Sequence, residues 1–505
     1  MDEKTYLKPK KSGRLKIALV HPNTYRVGMS NLGIHTLYRG FNRHPDIQCE
    51  RFFLDHNRSI ESKERLTNFH IIAFSISYEL DWINMLKILI ANSIPVQRAS
   101  RNSGPIIMAG GPAVTLNPEP MADALDIAFL GDGEDVQHTL FEAFDPAKDY
   151  TGFLDRLEGK PGIYLPERTC PEIRGDKMQG FKGPRPIVSR IDPLIEPART
   201  CIITPDTVFK GMFLVETARG CSFSCKFCTA RRVYHPFRPV PIDRLAIAFD
   251  EARDYGLKLG LVSAALNNHP ESKAMFEEIS KRSLSIAPPA LRPGMINAEL
   301  LDLLAFSRVK GVTLAPETGS EVLRKAIGKG ISNETIIEDI RTLVASGIYD
   351  IKLYLMTGLP GETLRDIDAS IDLIKRIRQV FIKVSKGNKR LGRITVSINT
   401  FIPKPGTPFE RKPLLEPREA KARIRRITRG LKGVSNITLN HEGPKWAYIQ
   451  TLLARGDRRV FDIALKMAQT DTGSWQKILR ESPLNPDFYT LREIPTGEIL
   501  PWSFM

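Results

Sequence analysis

The chain has 505 residues, of which 42% are hydrophobic and 26% charged, a composition that supports several folded domains and excludes collagen-like, coiled-coil and wholly disordered architectures. The sequence contains no apolar run suited to a transmembrane segment and no pattern typical of a signal peptide. Six cysteines are too few for a disulfide scaffold. Together these features predict a cytoplasmic protein.

The net charge of +16 is concentrated in one part of the chain. Residues 1–150 hold 17 basic and 18 acidic residues, whereas residues 371–460 hold 22 basic and 6 acidic ones. Either a solvated basic face or a surface for an anionic partner would explain this excess. We expect an anionic substrate or carrier, with nucleic acid permitted but not favoured. The side chains expected to contact a polyanion are Arg411, Arg418, Lys421, Arg425, Arg426 and Arg429.

After a polar tail at residues 1–12, residues 13–150 alternate short apolar runs with amphipathic stretches. This alternation predicts an α/β domain with a doubly wound (Rossmann-like) parallel sheet, which binds ligands at the carboxyl ends of its strands. Glycine turns fall at three of these ends, with Gly28 and Gly33 after the first strand, Gly110 and Gly111 after the fourth, and Gly131 and Gly133 after the fifth. The predicted strands cover residues 15–20, 47–54, 70–77, 105–109 and 126–130.

The rest of the chain divides into three parts. Residues 151–205 contain eight prolines and are predicted to form an extended, partly ordered connector. Residues 206–410 resume the strand–helix rhythm with longer units, and residues 411–505 become helical and basic. Six predicted strands indicate a partial (β/α)6 barrel whose site lies at the strand carboxyl ends. These strands cover residues 213–216, 259–264, 283–286, 311–314, 351–355 and 394–401.

The strongest chemical signal is the group Cys221, Cys225 and Cys228, on the loop after the first predicted barrel strand. Thiolates are the usual ligands of iron–sulfur clusters, and three on one loop can hold three corners of a cubane. A zinc site would need a fourth ligand, for which His235 is the nearest candidate. The spacing therefore favours a cluster with one open iron, with a structural zinc site as the alternative.

This Cys-x-x-x-Cys-x-x-Cys spacing, with the aromatic Phe227 before its last cysteine, resembles the signature of the radical S-adenosylmethionine (SAM) superfamily. Residues 313–320 are similar to the fourth-strand segment of that family, and residues 351–363 to its fifth-strand glycine motif. Residues 260–265 take the place of the second-strand motif that holds the SAM amino group, but they lack its acidic residue. The resemblance implies cofactor-binding roles for Phe227, Ser263, Glu317, Ser320, Gly358 and Gly361.

Residues 14–144 resemble the cobalamin-binding domain that precedes the barrel in a subgroup of this superfamily. The glycine turns carry the resemblance, which implies that Gly110, Gly111, Gly131 and Gly133 contact the cofactor. The Asp-x-His-x-x-Gly motif that supplies an axial histidine in many cobalamin proteins is absent. The resemblance therefore implies cobalamin bound base-off, without a protein histidine.

The resemblance implies a radical SAM enzyme that generates a 5′-deoxyadenosyl radical at a 4Fe–4S cluster, with electrons from a reductant such as flavodoxin or ferredoxin. It further implies a cobalamin-dependent methyltransferase acting on an unactivated carbon. Two alternatives stay open. One is radical cyclisation or rearrangement without methyl transfer, and the other is a non-catalytic iron–sulfur protein that binds nucleic acid.

Overall fold

The computed structural model describes residues 2–7, 10–101, 104–145, 150–192, 194, 196–387 and 391–505. The N-terminal part of the chain forms seven strands and six helices. The strands are β1 (Lys4–Thr5), β2 (Leu15–His21), β3 (Ile47–Phe53), β4 (Ile71–Ser75), β5 (Ile106–Gly110), β6 (Ile127–Phe129) and β7 (Ile163–Tyr164). The helices are α1 (Tyr25–Gly28), α2 (Leu32–Arg43), α3 (Asp81–Ala91), α4 (Pro112–Leu116), α5 (Val136–Ala143) and α6 (Tyr150–Leu157).

Strands β2 to β7 form one sheet in the order β3–β2–β4–β5–β6–β7. All neighbouring pairs are parallel except β6 and β7. The five strands predicted from the sequence are therefore confirmed. Because β3 and β4 lie on opposite sides of β2, the topological switch point lies between β2 and β4, where sheets of this type open a crevice for ligands.

Apolar side chains cover both faces of this sheet. Ile17 and Leu19 belong to the core that includes α2 and α5, whereas Ala18 and Val20 belong to the core that includes α3. This burial on two sides explains why the strands are nearly continuous apolar runs rather than alternating ones.

Residues 151–205 contain more secondary structure than the extended connector predicted from the sequence. Strand β7 extends the edge of the N-terminal sheet, and three further strands are β8 (Cys170–Arg174), β9 (Lys177–Lys182) and β10 (Ile202–Ile203). Strands β8 and β9 form an antiparallel hairpin, and β10 pairs with β1. Short apolar runs such as Ile163–Tyr164 suffice here because they add to an existing sheet edge.

Seven strands form the partial barrel. They are β11 (Met212–Glu216), β14 (Lys258–Val262), β15 (Ile286–Ala287), β16 (Gly311–Glu317), β17 (Asp350–Thr357), β18 (Arg393–Thr400) and β19 (Ile437–His441). Two short strands between β11 and β14, which are β12 (Ala218–Arg219) and β13 (Arg238–Pro239), form a separate antiparallel pair. The helices between the barrel strands are α7 (Ala230–Val233), α8 (Ile242–Asp254), α9 (Ser272–Lys281), α10 (Ala298–Phe306), α11 (Glu321–Ala326), α12 (Asn333–Ala345), α13 (Leu364–Gly387) and α14 (Pro417–Gly430).

The barrel strands pair in parallel in two sheets, β11–β14–β15 and β16–β17–β18–β19, and a parallel bridge from Leu291 to Leu314 connects them. The predicted partial barrel is confirmed, but the prediction of six strands is wrong because β19 adds a seventh. Sequence periodicity missed β19 because it is a short edge strand with no fully buried residue. No described helix is both long and apolar enough to cross a membrane.

The last part of the chain covers the N-terminal sheet. Its helices are α15 (Pro444–Arg455), α16 (Phe461–Ala468), α17 (Trp475–Glu481) and α18 (Pro486–Thr490). Leu452 on α15 and Phe461 on α16 are buried in the same apolar core as Trp82 on α3. Residues from the last part of the chain therefore complete an apolar core that the first hundred residues form in part.

A buried ion network joins the N-terminal sheet to the barrel. The Asp132 carboxylate lies 3.1 Å from Arg219 and 2.6 Å from Arg238, and it accepts a hydrogen bond from the Ile191 amide at 3.0 Å. Burial alone would raise the pKa of Asp132, but the two guanidinium groups reverse this effect and lower it. Asp132 follows β6 and Arg219 lies just after β11, so the network holds the carboxyl ends of the two sheets against each other.

Replacing Asp132 by Asn should open this contact, because Arg238 would lose its only carboxylate partner in the described residues. Removing one member of a buried ion pair typically costs about 3–5 kcal/mol. Chemical denaturation and hydrogen exchange of residues 212–219 measure the effect. Asp135→Asn, at an exposed neighbouring position, is the control. Equal stability of the two variants would contradict this role for Asp132.

Two buried histidines should make the protein less stable in mild acid. Burial lowers the pKa of both His21 and His35 to about 4. Because the unfolded chain takes up protons near pH 6.5 and the folded chain does not, the free energy of unfolding should fall as pH decreases from about 6.5 to about 4, by about 3 kcal/mol for each fully titrated histidine. The denaturation midpoint of the wild type should be lower at pH 5 than at pH 7. His35→Gln should reduce this difference, whereas His56→Gln, at a half-buried site, should leave it unchanged.

Candidate functional site

The cysteine loop leaves the barrel directly after β11 and β12 and ends at α7. Gly220 begins the loop with a φ of 83°, and a Cβ atom there would lie 2.5 Å from the Tyr234 carbonyl oxygen. Further along, the Lys226 amide donates to the Ile327 carbonyl at 2.9 Å, and a Cβ atom on Gly328 would lie 2.6 Å from the Ser224 carbonyl oxygen. The loop therefore has a fixed path between the first-strand turn and the end of α11.

All three cysteines of the loop are free and half-buried. Burial raises the pKa of the Cys228 thiol, and the neighbouring Cys225 and Cys221 raise it further, so the thiols lie close enough to influence one another. Cys225 and Cys228 line a cavity of about 540 Å³, the walls of which include Lys226, Arg231 and Arg232. In the described residues, no three His, Cys, Asp or Glu side chains are grouped to hold a single metal ion.

The surroundings of the thiols suit a bound anionic cluster. The Arg292 guanidinium donates to the Cys225 sulfur at 3.6 Å and lies 3.9 Å from the centre of the Phe223 ring. Hydrogen bonds to cysteine sulfur and neighbouring positive charge favour the thiolate form that binds iron. The donor set of three thiols therefore fits an iron–sulfur cluster held at three corners.

Phe227 points away from the cavity into a small apolar core beneath the loop. It packs against the buried residues Leu323, Ile327, Leu359 and Phe401. These residues come from α11 and from the segments that follow β17 and β18. The loop is thereby anchored to the carboxyl ends of three successive barrel strands.

Glu317 lies near the cysteines at the end of β16. A shift of strand register between Leu314 and Glu317 displaces it from the regular ladder, and its φ is 67°. Its carboxylate accepts a hydrogen bond from the Lys329 ammonium at 2.8 Å, and both side chains are buried. Burial raises the pKa of Glu317, although Lys329 acts in the opposite direction. Lys329 was not predicted as a site residue.

The two predicted serines serve local turns. The Ser320 hydroxyl caps α11 by accepting from the Leu323 amide at 3.3 Å, and the Ser263 hydroxyl accepts from the Ala265 amide at 3.3 Å after β14. The Ser320 hydroxyl also donates to the Asp366 carboxylate. Burial would raise the pKa of Asp366, but this hydrogen bond lowers it against that effect. Neither serine lines the cavity that contains the cysteines.

Gly358 and Gly361 lie on a different cavity from the cysteines. Both have a φ of 83°, and a Cβ atom on Gly358 would lie 2.9 Å from the Leu415 side chain. They line a cavity of about 390 Å³ beside Glu362 and Arg423, whose ion pair spans 2.9 Å. The Glu362 carboxylate also accepts from the Gly358 amide at 2.7 Å. These contacts make the turn part of the packing between β17 and α14.

A third cavity, of about 470 Å³, lies between the N-terminal sheet and the barrel. We refer to it as the interdomain cavity. All four predicted glycines of the N-terminal sheet line it, as do Glu216 and Val262 from the ends of β11 and β14. It extends along the sheet beneath α2, past Leu37 and Ala73. The lining glycines are Gly110, Gly111, Gly131 and Gly133.

Two of these glycines have conformations that favour glycine. Gly111 has a φ of 113°, and a Cβ atom there would lie 2.6 Å from the Ile76 carbonyl oxygen. Gly131 has a φ of 102°, and its Cβ atom would lie 2.1 Å from the Ser189 carbonyl oxygen. Their first role is therefore to let the chain pack closely, which also leaves the cavity open beside them.

No histidine is among the described residues that line the interdomain cavity. His21 lies at the end of β2, where it is buried with its Nδ1 atom unpartnered. His56 is paired with Asp55 at 2.9 Å. Tyr234, whose carbonyl borders Gly220, does line the cavity and therefore connects it to the cysteine loop.

Comparisons with known proteins agree on one family. The family model described as "Radical SAM superfamily" matches residues 215–374, and the model described as "Radical SAM proteins, N-terminal" matches residues 33–166. An uncharacterized protein of Methanocaldococcus jannaschii is 28% identical over 88% of this chain and 89% of its own length. An uncharacterized methyltransferase of Pyrococcus horikoshii is 24% identical over 55% of this chain and 59% of its own length.

A solved structure of the cobalamin-dependent S-adenosylmethionine radical enzyme OxsB, with aqua-cobalamin and S-adenosylmethionine bound, shares the fold with a TM-score of 0.50 and 16% identity. The match covers 74% of this chain and 56% of OxsB, so this chain spans little more than half of that protein. Both family models are of radical SAM proteins, and the three-cysteine loop lies at the first strand of a partial barrel. The chain therefore belongs to the radical SAM superfamily.

Proposed function

We propose that this radical SAM enzyme is a cobalamin-dependent methyltransferase that acts on an unactivated carbon. The interdomain cavity carries the proposal, because it connects the glycine turns of the N-terminal sheet with the strand ends of the barrel. Doubly wound sheets bind ligands at this edge. Two similar proteins, one named as a methyltransferase and one as a cobalamin-dependent enzyme, support the same proposal.

Cys221, Cys225 and Cys228 would hold a 4Fe–4S cluster, leaving one iron open to SAM. When bound, the cluster supplies the electron that cleaves SAM. Arg292 would offset the negative charge of the cysteinates, and the apolar residues around Phe227 would keep water from one side of the loop. An acidic reductant such as flavodoxin or ferredoxin would find basic side chains around the cysteine cavity.

The SAM molecule itself would be bound by residues at the strand ends. Glu317 would contact its ribose, and Lys329 would hold the Glu317 carboxylate in place. Ser263 can donate a hydroxyl proton, since its oxygen accepts from the Ala265 amide. Ser320, whose hydroxyl donates to Asp366, would instead fix the turn at the start of α11. Gly358 and Gly361 would act indirectly, by shaping the turn that follows β17.

The interdomain cavity would take the cobalamin. Its walls are mostly apolar or glycine, so the backbone can approach a large flat ligand. Leu37 and Ala73 would contact the part of the ligand that lies along the sheet, and Tyr234 would face the part nearest the barrel. Because the described lining residues include no histidine, the cofactor would be held without a protein imidazole ligand.

Replacing any one of Cys221, Cys225 or Cys228 by Ala should abolish SAM cleavage, because an incompletely held cluster is lost or cannot be reduced. Anaerobic reconstitution of the wild type should give about four irons per chain. The measurements are iron content and release of 5′-deoxyadenosine. Cys170→Ala is the matched control, since Cys170 is an exposed thiol on the β8–β9 hairpin. Bound zinc without iron in the wild type would refute the cluster.

Filling the interdomain cavity should prevent cobalamin binding without affecting the cluster. Leu37→Trp places a large ring in the cavity, whereas Ile90→Trp makes a similar change at an exposed site on α3. Binding at micromolar cobalamin should be lost only in Leu37→Trp. The wild type, His21→Ala and His56→Ala should all show a base-off absorption spectrum.

A wild-type protein that retains no cobalamin would refute methyl transfer through this cofactor. In that case SAM cleavage by the same preparation would still establish the radical SAM reaction. A base-on spectrum that changes in His21→Ala would contradict binding without a protein histidine.

A further inference from the structure

Helix α14 carries six basic side chains, and the structure divides them into two groups. Arg423 is paired with Glu362 at 2.9 Å and with Glu419 at 3.0 Å, and Arg426 is paired with Asp368 at 2.7 Å. In the described part of the chain the other four have no ion pair and no side-chain hydrogen bond, and all four are exposed. We call them the α14 stripe: Arg418, Lys421, Arg425 and Arg429.

The structure also narrows the set of basic residues expected to contact a polyanion. Arg411 donates hydrogen bonds to the carbonyl oxygens of Pro495 and Glu498 at 2.6 and 3.0 Å, so it holds the C-terminal segment in place. Arg426 is held by Asp368. The α14 stripe is what remains of the six predicted residues.

The α14 stripe is unfavourable for the helix that carries it. Its members follow one another at spacings of three, four and four residues, so each is a neighbour of the next on the helix surface. Like charges at these spacings destabilise a helix. The two acidic residues at the start of α14 do not relieve this, since Glu416 caps the helix and Glu419 pairs with Arg423. An external anion would remove the repulsion.

The geometry of the helix limits what that anion can be. The apolar face of α14, with Ala420, Ile424 and Ile427, is fully buried, so the helix has no free apolar face to insert into a lipid bilayer. The stripe spans twelve residues, from Arg418 to Arg429, and extends roughly 16 Å along the helix axis with about one charge per turn. This is a straight row of regularly spaced cations. Three of the four are arginines, whose planar guanidinium matches a phosphate group in two hydrogen bonds.

We propose that the α14 stripe binds the phosphodiester backbone of a single-stranded nucleic acid. The contacts are to phosphates, so the stripe contributes affinity and orientation rather than sequence preference. Helix α14 follows β18 and begins beside the turn after β17, where Arg423 contacts Glu362. The N-terminal end of the stripe therefore lies near the carboxyl ends of the barrel strands. This inference does not depend on cobalamin binding or on methyl transfer.

The test is fluorescence anisotropy with a mixed-sequence single-stranded RNA of about 20 nucleotides, longer than ordinary single-strand sites. Four neutralised phosphates predict that binding weakens about 50-fold between about 50 and about 200 mM salt. The variant with all four stripe residues changed to Gln should bind at least about tenfold more weakly at the lower salt and show a shallower salt dependence.

A matched variant controls for net charge. The matched residues are also three arginines and one lysine, all exposed and without an ion pair in the described part of the chain: Arg65, Arg174, Lys177 and Arg185. Changing them to Gln removes the same charge at sites away from α14. This variant should bind RNA within about threefold of the wild type. The stripe variant should melt at or above the wild-type temperature, because Gln removes like-charge repulsion.

Equal loss of RNA binding in both variants would overturn the proposal, because net charge alone would then explain it. Stripe-dependent binding of polyglutamate as tight as that of RNA would also overturn it, in favour of an acidic protein partner. A lower melting temperature of the stripe variant together with unchanged RNA affinity would also overturn the proposal. The four side chains would then stabilise the folded protein rather than bind RNA.

Discussion

A buried carboxylate between two guanidinium groups lies at the centre of the contact between the two halves of this molecule, where Glu134 also pairs with Arg219 at 2.5 Å. Asp132 lies at the carboxyl edge of the N-terminal sheet, and Arg219 and Arg238 lie at the beginning of the barrel. Charges removed from water are costly unless they meet opposite charges in good geometry, so this contact tolerates little displacement. It brings the ligand-binding edges of two parallel sheets together around one cavity.

This arrangement explains why chemically different residues lie close together. The thiols are on the loop after the first barrel strand, and Tyr234 extends from the same segment into the interdomain cavity. On another side, Lys404 pairs with Glu79, and the Gln450 amide donates to Glu79 at 2.7 Å. These contacts join the segment after β18, the turn after β4 and helix α15. The site is therefore enclosed by three parts of the chain.

Local sequence patterns predicted the secondary-structure elements, but they could not predict the long-range contacts between side chains. Strands β2, β4, β5 and β6 are nearly continuous apolar runs, so each could be predicted from its own residues, whereas β3 also carries Gln48, Glu50 and Arg51. The cysteine loop was predictable because its three cysteines lie within eight positions. By contrast, Arg219 and Arg238 are 87 and 106 residues from Asp132, and nothing in their own segments indicates a partner. The ion pair of Glu317 with Lys329 and the contact of Gly358 with Leu415 were likewise beyond prediction, because tertiary packing creates them.

The covering of the N-terminal sheet by α15 and α16 has a consequence for how the protein is made. Chains emerge from the ribosome N-terminus first, and domains generally fold in that order. Here the apolar core on one side of the first sheet, which α3 covers in part, stays incomplete until residues near 460 have been synthesised, since Leu452 and Phe461 belong to it. The earliest part of the chain to be translated is therefore among the last to be fully buried, and a nascent chain of this protein presents an apolar surface to chaperones for most of its synthesis.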